Sequence, residues 1–178
     1  LFADSARGEE AVTLLAALDE TATGMGARLL RSWILRPSVN RAEIQARLDA
    51  VEELKMHTVA REEIRKELAG VLDLERLTSR VTLGIAHPRD LLALRQSLAR
   101  LPLIRGFLSN FASQRLAELH AALYPDSTGL AAIRERIDKA IADEPPAQIN
   151  EPGIVRRGSP GHVAEGVEVL DDINVPRA

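Results

Sequence analysis

Cysteine is absent from the 178 residues. That excludes disulfides, thiolate metal sites and thiol catalysis, and it is the usage expected of a reducing compartment, so cytoplasm is the expected location. Aromatic residues are scarce at 3%, with one Trp and one Tyr. Long apolar runs are missing too. Stretches such as Ala11 to Leu18 and Leu29 to Leu35 fall far short of the roughly 20 residues a membrane-spanning helix needs. An excess of basic charge is also lacking: the formal net charge is -3, so no bulk field draws the whole chain onto a phosphate backbone. The first residue is Leu1 and the stretch after it is polar, which reads as a segment of something longer without a signal peptide.

What is present is Leu, Ala, Arg and Glu, all strong helix formers, in a chain that is 46% hydrophobic and 28% charged. The apolar spacing predicts an all-α, multi-helix fold. A short apolar segment, Ala11 to Asp19, precedes Thr23, a candidate N-cap for a helix over Met25 to Leu35 with a stripe of Leu29, Leu30, Trp33 and Ile34. Pro37 closes it. Asn40, with Glu43 three residues on, opens a helix whose apolar face is Ile44, Leu48, Val51 and Leu54. Another helix is expected from Val59 to Ala69, ended by Gly70, and Asp73 caps one carrying Leu74, Leu77 and Val81 that Gly84 stops. His87-Pro88 opens the next, with Leu91, Leu94, Leu98 and Leu101, and Pro102 is expected to bend or interrupt it. Leu103 to Phe111, then Leu116, Leu119 and Leu123, continue the pattern, and a last helix spans Gly129 to Ala142. Residues 144–178 carry Pro and Gly too often for a long helix and read as an irregular tail behind a helical core of residues 1–143, with short extended stretches at Ile154 to Val155 and Val167 to Leu170.

Catalytic apparatus is hard to assemble from these residues. His57, His87, His120 and His162 each stand alone, whereas a zinc site needs several convergent donors. Ser79, Ser97 and Ser113 fall on predicted helices, without a nucleophile elbow. Gly24-Met25-Gly26 lacks the preceding strand and following Lys of a phosphate loop and reads as a helix start. Adjacent carboxylates such as Glu52/Glu53, Glu62/Glu63 and Asp171/Asp172 point about 100° apart on a helix and read as solvated faces. The expectation is a chain without enzymatic activity. One local feature stands out: Arg28, Arg31 and Arg36, with Arg41 beyond. Arg28 and Arg31, one turn apart, are the candidate contacts for a phosphate or an acidic partner, set against structural ion pairs with neighbouring Glu and Asp.

Read in order, Leu14-Leu15-Ala16-Ala17-Leu18-Asp19-Glu20-Thr21, Thr23-Gly24-Met25-Gly26-Ala27-Arg28-Leu29-Leu30-Arg31-Ser32-Trp33 and Arg36-Pro37 resemble the opening of the core, or lever, domain of the MutS family of DNA mismatch-repair proteins. The resemblance continues through Ile44 to Leu54, Asp73 to Leu77 with Ser79-Arg80, Pro88 to Leu91, Ile141 to Pro146 and Gly153 to Gly158. It departs from the family at Ser159-Pro160-Gly161-His162, where an aromatic residue and an acidic helix start are usual, and at Gly24, where proline is common. The resemblance implies a non-catalytic core joining mismatch recognition and a DNA clamp to an ATPase domain, with residues 144–178 leading toward the clamp. It implies mismatched duplex DNA, a MutL-type partner and a second copy as partners of the whole protein, ATP and Mg as its cofactors, and no membrane. A stand-alone helical scaffold for protein interaction, or the core of a MutS-related paralogue without mismatch recognition, are the alternative readings.

Overall fold

The computed structural model describes residues 13–124, 129–146 and 153–156. Eight helices are found among them: α1 (Leu14–Leu18), α2 (Gly24–Leu35), α3 (Arg41–Met56), α4 (Thr58–Ala69), α5 (Leu74–Thr82), α6 (Pro88–Leu108), α7 (Gln114–Ala122) and α8 (Leu130–Ala140). The all-α expectation holds; the extended backbone pairing among the described residues is one isolated antiparallel bridge between Ile141 and Val155. The Val167 to Leu170 stretch lies outside the described residues.

Helix starts follow the capping chemistry. The Thr23 hydroxyl accepts from the Gly26 N–H at 3.0 Å, and Asn40 Oδ1 accepts from the Ala42 and Glu43 N–H groups. Glu43 itself turns away from a reciprocal capping box, accepting instead from Ser38 Oγ and pairing with Arg47. Asp73 caps α5 through the Arg76 N–H. At the other end of α5, Gly84 takes a φ of 68°, and the Ile85 N–H reaches back to the Arg80 carbonyl, a left-handed stop that favours glycine.

At the centre lies α6, which buries Leu92, Leu94, Ser97, Leu98, Leu101, Ile104 and Leu108 and packs against α4, α5, α7 and α8. A helix enclosed on most sides loses the clean amphipathic stripe of a surface helix. Pro102 is expected to bend or interrupt this stretch; it does not interrupt it, since one 21-residue helix runs through. A proline inside a helix costs roughly 3 kcal/mol. Burial of Leu98, Leu101, Ile104 and Leu108, at about 1.5–3 kcal/mol each, outweighs that.

Two apolar stripes lie elsewhere than the spacing suggested. On α3, Ile44, Leu48 and Val51 are exposed, the last two at 55% and 62%, while Ala50 is buried and Leu54 is half-buried. The helix is turned so that small Ala50 allows close approach. Apolar spacing identifies a stripe but cannot tell which of two sides is covered. On α2, Leu30 and Ile34 are half-buried, but Leu29 and Trp33 are exposed, the indole ring lying under the Arg47 guanidinium at 4.0 Å. No described helix is long and apolar enough to cross a membrane.

Candidate functional site: carboxylates that clamp helices together

Arg28 projects from the second turn of α2 toward the start of α5, 45 residues further along the chain. Its Nη1 and Nη2 donate to Asp73 at 2.6 and 2.8 Å, and Nη2 also donates to Glu75 at 2.6 Å. The two-pronged geometry fixes direction as well as distance. Arg28 holds the Asp73 carboxyl down at about 2, helped by the Arg76 N–H, and the same bonds raise the guanidinium above its ordinary range. Arg31, one turn on, joins Arg28, Ser32, Leu35 and Arg36 around a shallow depression of about 240 Å³. The two arginines singled out by sequence therefore share one surface feature, with Arg28 already engaged by two carboxylates.

A second hub forms where the chain returns to the helices. The Ala142 N–H donates to the Ile154 carbonyl and the Arg156 N–H to the Ala140 carbonyl, both at 2.9 Å. Beside this bridge, Asp143 accepts from Arg156 Nη2 at 2.9 Å and Arg95 Nη1 at 3.3 Å, and Arg95 also pairs with Asp138 of α8 at 2.6 Å. The extended stretch expected at Ile154 to Val155 is thus tied to α8 by backbone and to α6 by charge.

Glu53 makes a third connection. Its two carboxylate oxygens accept from the backbone N–H groups of Ala112 at 2.7 Å and Ser113 at 2.8 Å, so a side chain of α3 satisfies donors at the entrance to α7. Beside it, the His57 ring meets the edge of Phe111, with centroids 5.5 Å apart. Sequence reading placed Glu53 on a solvated face, and nothing local marks a partner 59 residues away. The Ala112 N–H and then the Ser113 groups lower the Glu53 pKa below its ordinary 4.5. A depressed carboxyl contributes stability above its unfolded value and loses it as pH falls through the folded one, so this staple weakens in acid below about pH 4.5. Glu53→Gln is expected to lower Tm by a few degrees at pH 7 and to flatten the fall of Tm in acid below about pH 4.5, read by thermal denaturation.

Two of the three serines lie on helices as expected, and one does not. Ser79 Oγ donates to the Glu75 carbonyl and Ser97 Oγ, fully buried, to the Ala93 carbonyl, each in the previous turn, whereas Ser113 is the N-cap residue of α7 rather than a residue within a helix. No group of three or more His, Asp or Glu residues that could hold a metal occurs among the described residues. The long-range charged groups of this site join one helix to another.

These features define an all-α domain with one enclosed central helix, braced by carboxylate–arginine hubs at both flanks. The chain belongs to the MutS domain III family, whose profile matches residues 1–173. It is 49% identical to the DNA mismatch repair protein MutS of Solibacter usitatus over 89% of this chain and 18% of that protein. It is 45% identical to the DNA mismatch repair protein MutS of Anaeromyxobacter dehalogenans, over 93% of this chain and 18% of the relative. A protein named DNA mismatch repair protein MutS 2 from Haloarcula marismortui matches at 45% over 86% of this chain and 16% of its own length. The chain thus spans less than a fifth of the length of these relatives.

Proposed function

We propose that this chain is the non-catalytic helical core, or lever, of a MutS-like DNA mismatch-repair protein, connecting a mismatch-reading part and a DNA clamp to an ATPase part. The observation that carries this reading is the bracing of one long helix from both flanks. Arg28 fastens the leading helix α2 to α5, Arg80 pairs with Asp90 to fasten α5 to α6, and Asp143 fastens the departing chain at Arg156 to Arg95 of α6. While Arg28 is engaged, displacement of α2 is passed through α5 to α6, and displacement of the departing chain reaches α6 through Asp143 and Arg95. In the full-length protein, mismatched duplex DNA, ATP with Mg, a MutL-type partner and a second copy would be engaged by parts other than this one. Residues 144–178 lead toward the clamp, and the cytoplasm is the place of action. Arg28 and Arg31, at one depression, are the positions assigned to contact with a phosphate or acidic partner.

Coupling between sites requires contacts that differ between two global states. In a full-length protein carrying this segment, Asp143→Asn is expected to leave DNA-free ATP hydrolysis intact while shrinking the effect of ATP on mismatched-duplex affinity by at least about fivefold. An unchanged nucleotide effect would sink the lever reading. ATP hydrolysis by the purified 178-residue chain would overturn the non-catalytic assignment.

A further inference from the structure

We infer that α1 and α2 form an arm that docks on and releases from the body of helices α3–α8, with Arg28 as its latch. This inference shares the Arg28 contacts with the lever reading but not its test: it concerns whether those contacts open, read on this chain alone, and not what the chain connects.

Neither α1 nor α2 contains a buried residue, whereas each of α3 to α8 contributes at least one. The α2 side chain packed against the buried cluster is Met25. Leu14, Leu18, Leu29 and Leu35 are exposed while the arm is docked, and Leu15, Met25, Leu30 and Ile34 are only half-buried, so release uncovers less apolar surface than freeing any helix of the body would. The other contacts described between arm and body are polar or involve charge. Arg28 binds Asp73 and Glu75, Arg65 Nη1 donates to the Glu20 carbonyl at 3.0 Å, and Arg47 covers the Trp33 ring.

Such contacts hold weakly where water reaches them. The Glu75 side chain is 71% exposed and that of Arg28 40%, with Asp73 the more sheltered partner at 23%, and ion pairs that water reaches lose strength to solvent, side-chain entropy and salt. Apolar burial, which salt does not screen, holds the body. The joint between the two is residues 36–40, where Pro37 cannot continue the helix and Val39 is 96% exposed. Asp73 is served in both states. It accepts from the Arg76 N–H at 3.2 Å and meets Arg76 Nε at 3.3 Å, so release of Arg28 leaves the α5 cap in place and the carboxylate still paired. The body can therefore stay folded while the arm is away, which is local opening in the sense seen by amide exchange.

Hydrogen exchange on the 178-residue chain, read by mass spectrometry, tests this with Arg28→Ala and with Glu75→Gln, which removes the more exposed carboxylate and leaves the Asp73 cap untouched. Amides of residues 24–35 are expected to exchange about tenfold faster in Arg28→Ala, and measurably faster in Glu75→Gln, while those of 88–108 keep their protection. Raising salt from about 50 mM to about 500 mM should accelerate residues 24–35 in the wild type and have a much smaller effect in Arg28→Ala. Equal acceleration of 24–35 and 88–108 in both variants would show that the arm opens only with the whole domain, and unchanged exchange of 24–35 in both would show that Arg28 is no latch. Either result overturns the inference.

Discussion

Leu98→Ala is expected to destabilise the domain by about 2–5 kcal/mol, the range for emptying a well-packed leucine site. Leu98 is 4% exposed, on the central helix whose neighbours are α4, α5, α7 and α8. Collapse around the cavity requires several helices to move together, which places the change toward the upper part of that range. Denaturant titration should show a lower midpoint at an unchanged slope if the native packing survives. For a chain of this size the loss corresponds to a drop in Tm of about 2–4 °C per kcal/mol. A variant within 1 kcal/mol of the wild type would show that α6 is not the packing centre. Substitution of a partly exposed leucine of the same helix, Leu103→Ala, supplies the contrast and should have a much smaller effect.

Ser97→Ala is the second large effect, and its cause is polar. Ser97 is 0% exposed; its hydroxyl donates to the Ala93 carbonyl at 2.8 Å and accepts from the Leu72 N–H at 3.0 Å. The second bond ties the α4–α5 connection to the middle of α6. Alanine removes the acceptor and leaves the Leu72 N–H without it, at a cost of about 1–3 kcal/mol, more than the loss of an ordinary solvent-compensated hydrogen bond. Amide exchange at Leu72 should accelerate beyond the global change. Protection at Leu72 equal to that of the wild type would mean that the bond carries no such load.

The helical architecture was legible because its signals are local. Thr23, Asn40, Asp73 and Gly84 each act within four residues of where they stand, and each occupies the cap or stop that its side chain suggests. The ordered family landmarks from Leu14 to Gly158 were legible for a similar reason, since they are read along the chain. What was not legible is which side of a helix another helix covers. Ile44, Leu48, Val51 and Leu54 form a proper apolar stripe on α3, yet of these only Leu54 packs against the core, and the rest of the contact is made by Ala50 and Glu53. Pro102 does not interrupt α6, because the breaker is local and the packing that overrides it comes from four other helices. The candidate site divides along the same line. Arg28 and Arg31 could be picked out as a pair one turn apart, but Asp73, Glu75, Asp143 and Glu53 find partners 13 to 60 residues away, and no spacing rule encodes that.

Pro102 has a mechanical side as well. A 21-residue helix is a rod about 31 Å long, and its bending stiffness comes from the ladder of hydrogen bonds along it. Proline has no N–H to offer the Leu98 carbonyl, so the rod lacks one rung about two-thirds of the way along. The stretch before that rung carries Asp90, Arg95 and Ser97, the anchors to α5, α8 and the α4–α5 connection. The stretch after it carries Ile104 and Leu108, whose hold is apolar, and Arg105, whose Nη1 donates to the Tyr124 carbonyl at 3.4 Å. The missing rung is therefore the point along α6 at which its own hydrogen-bond ladder resists bending least.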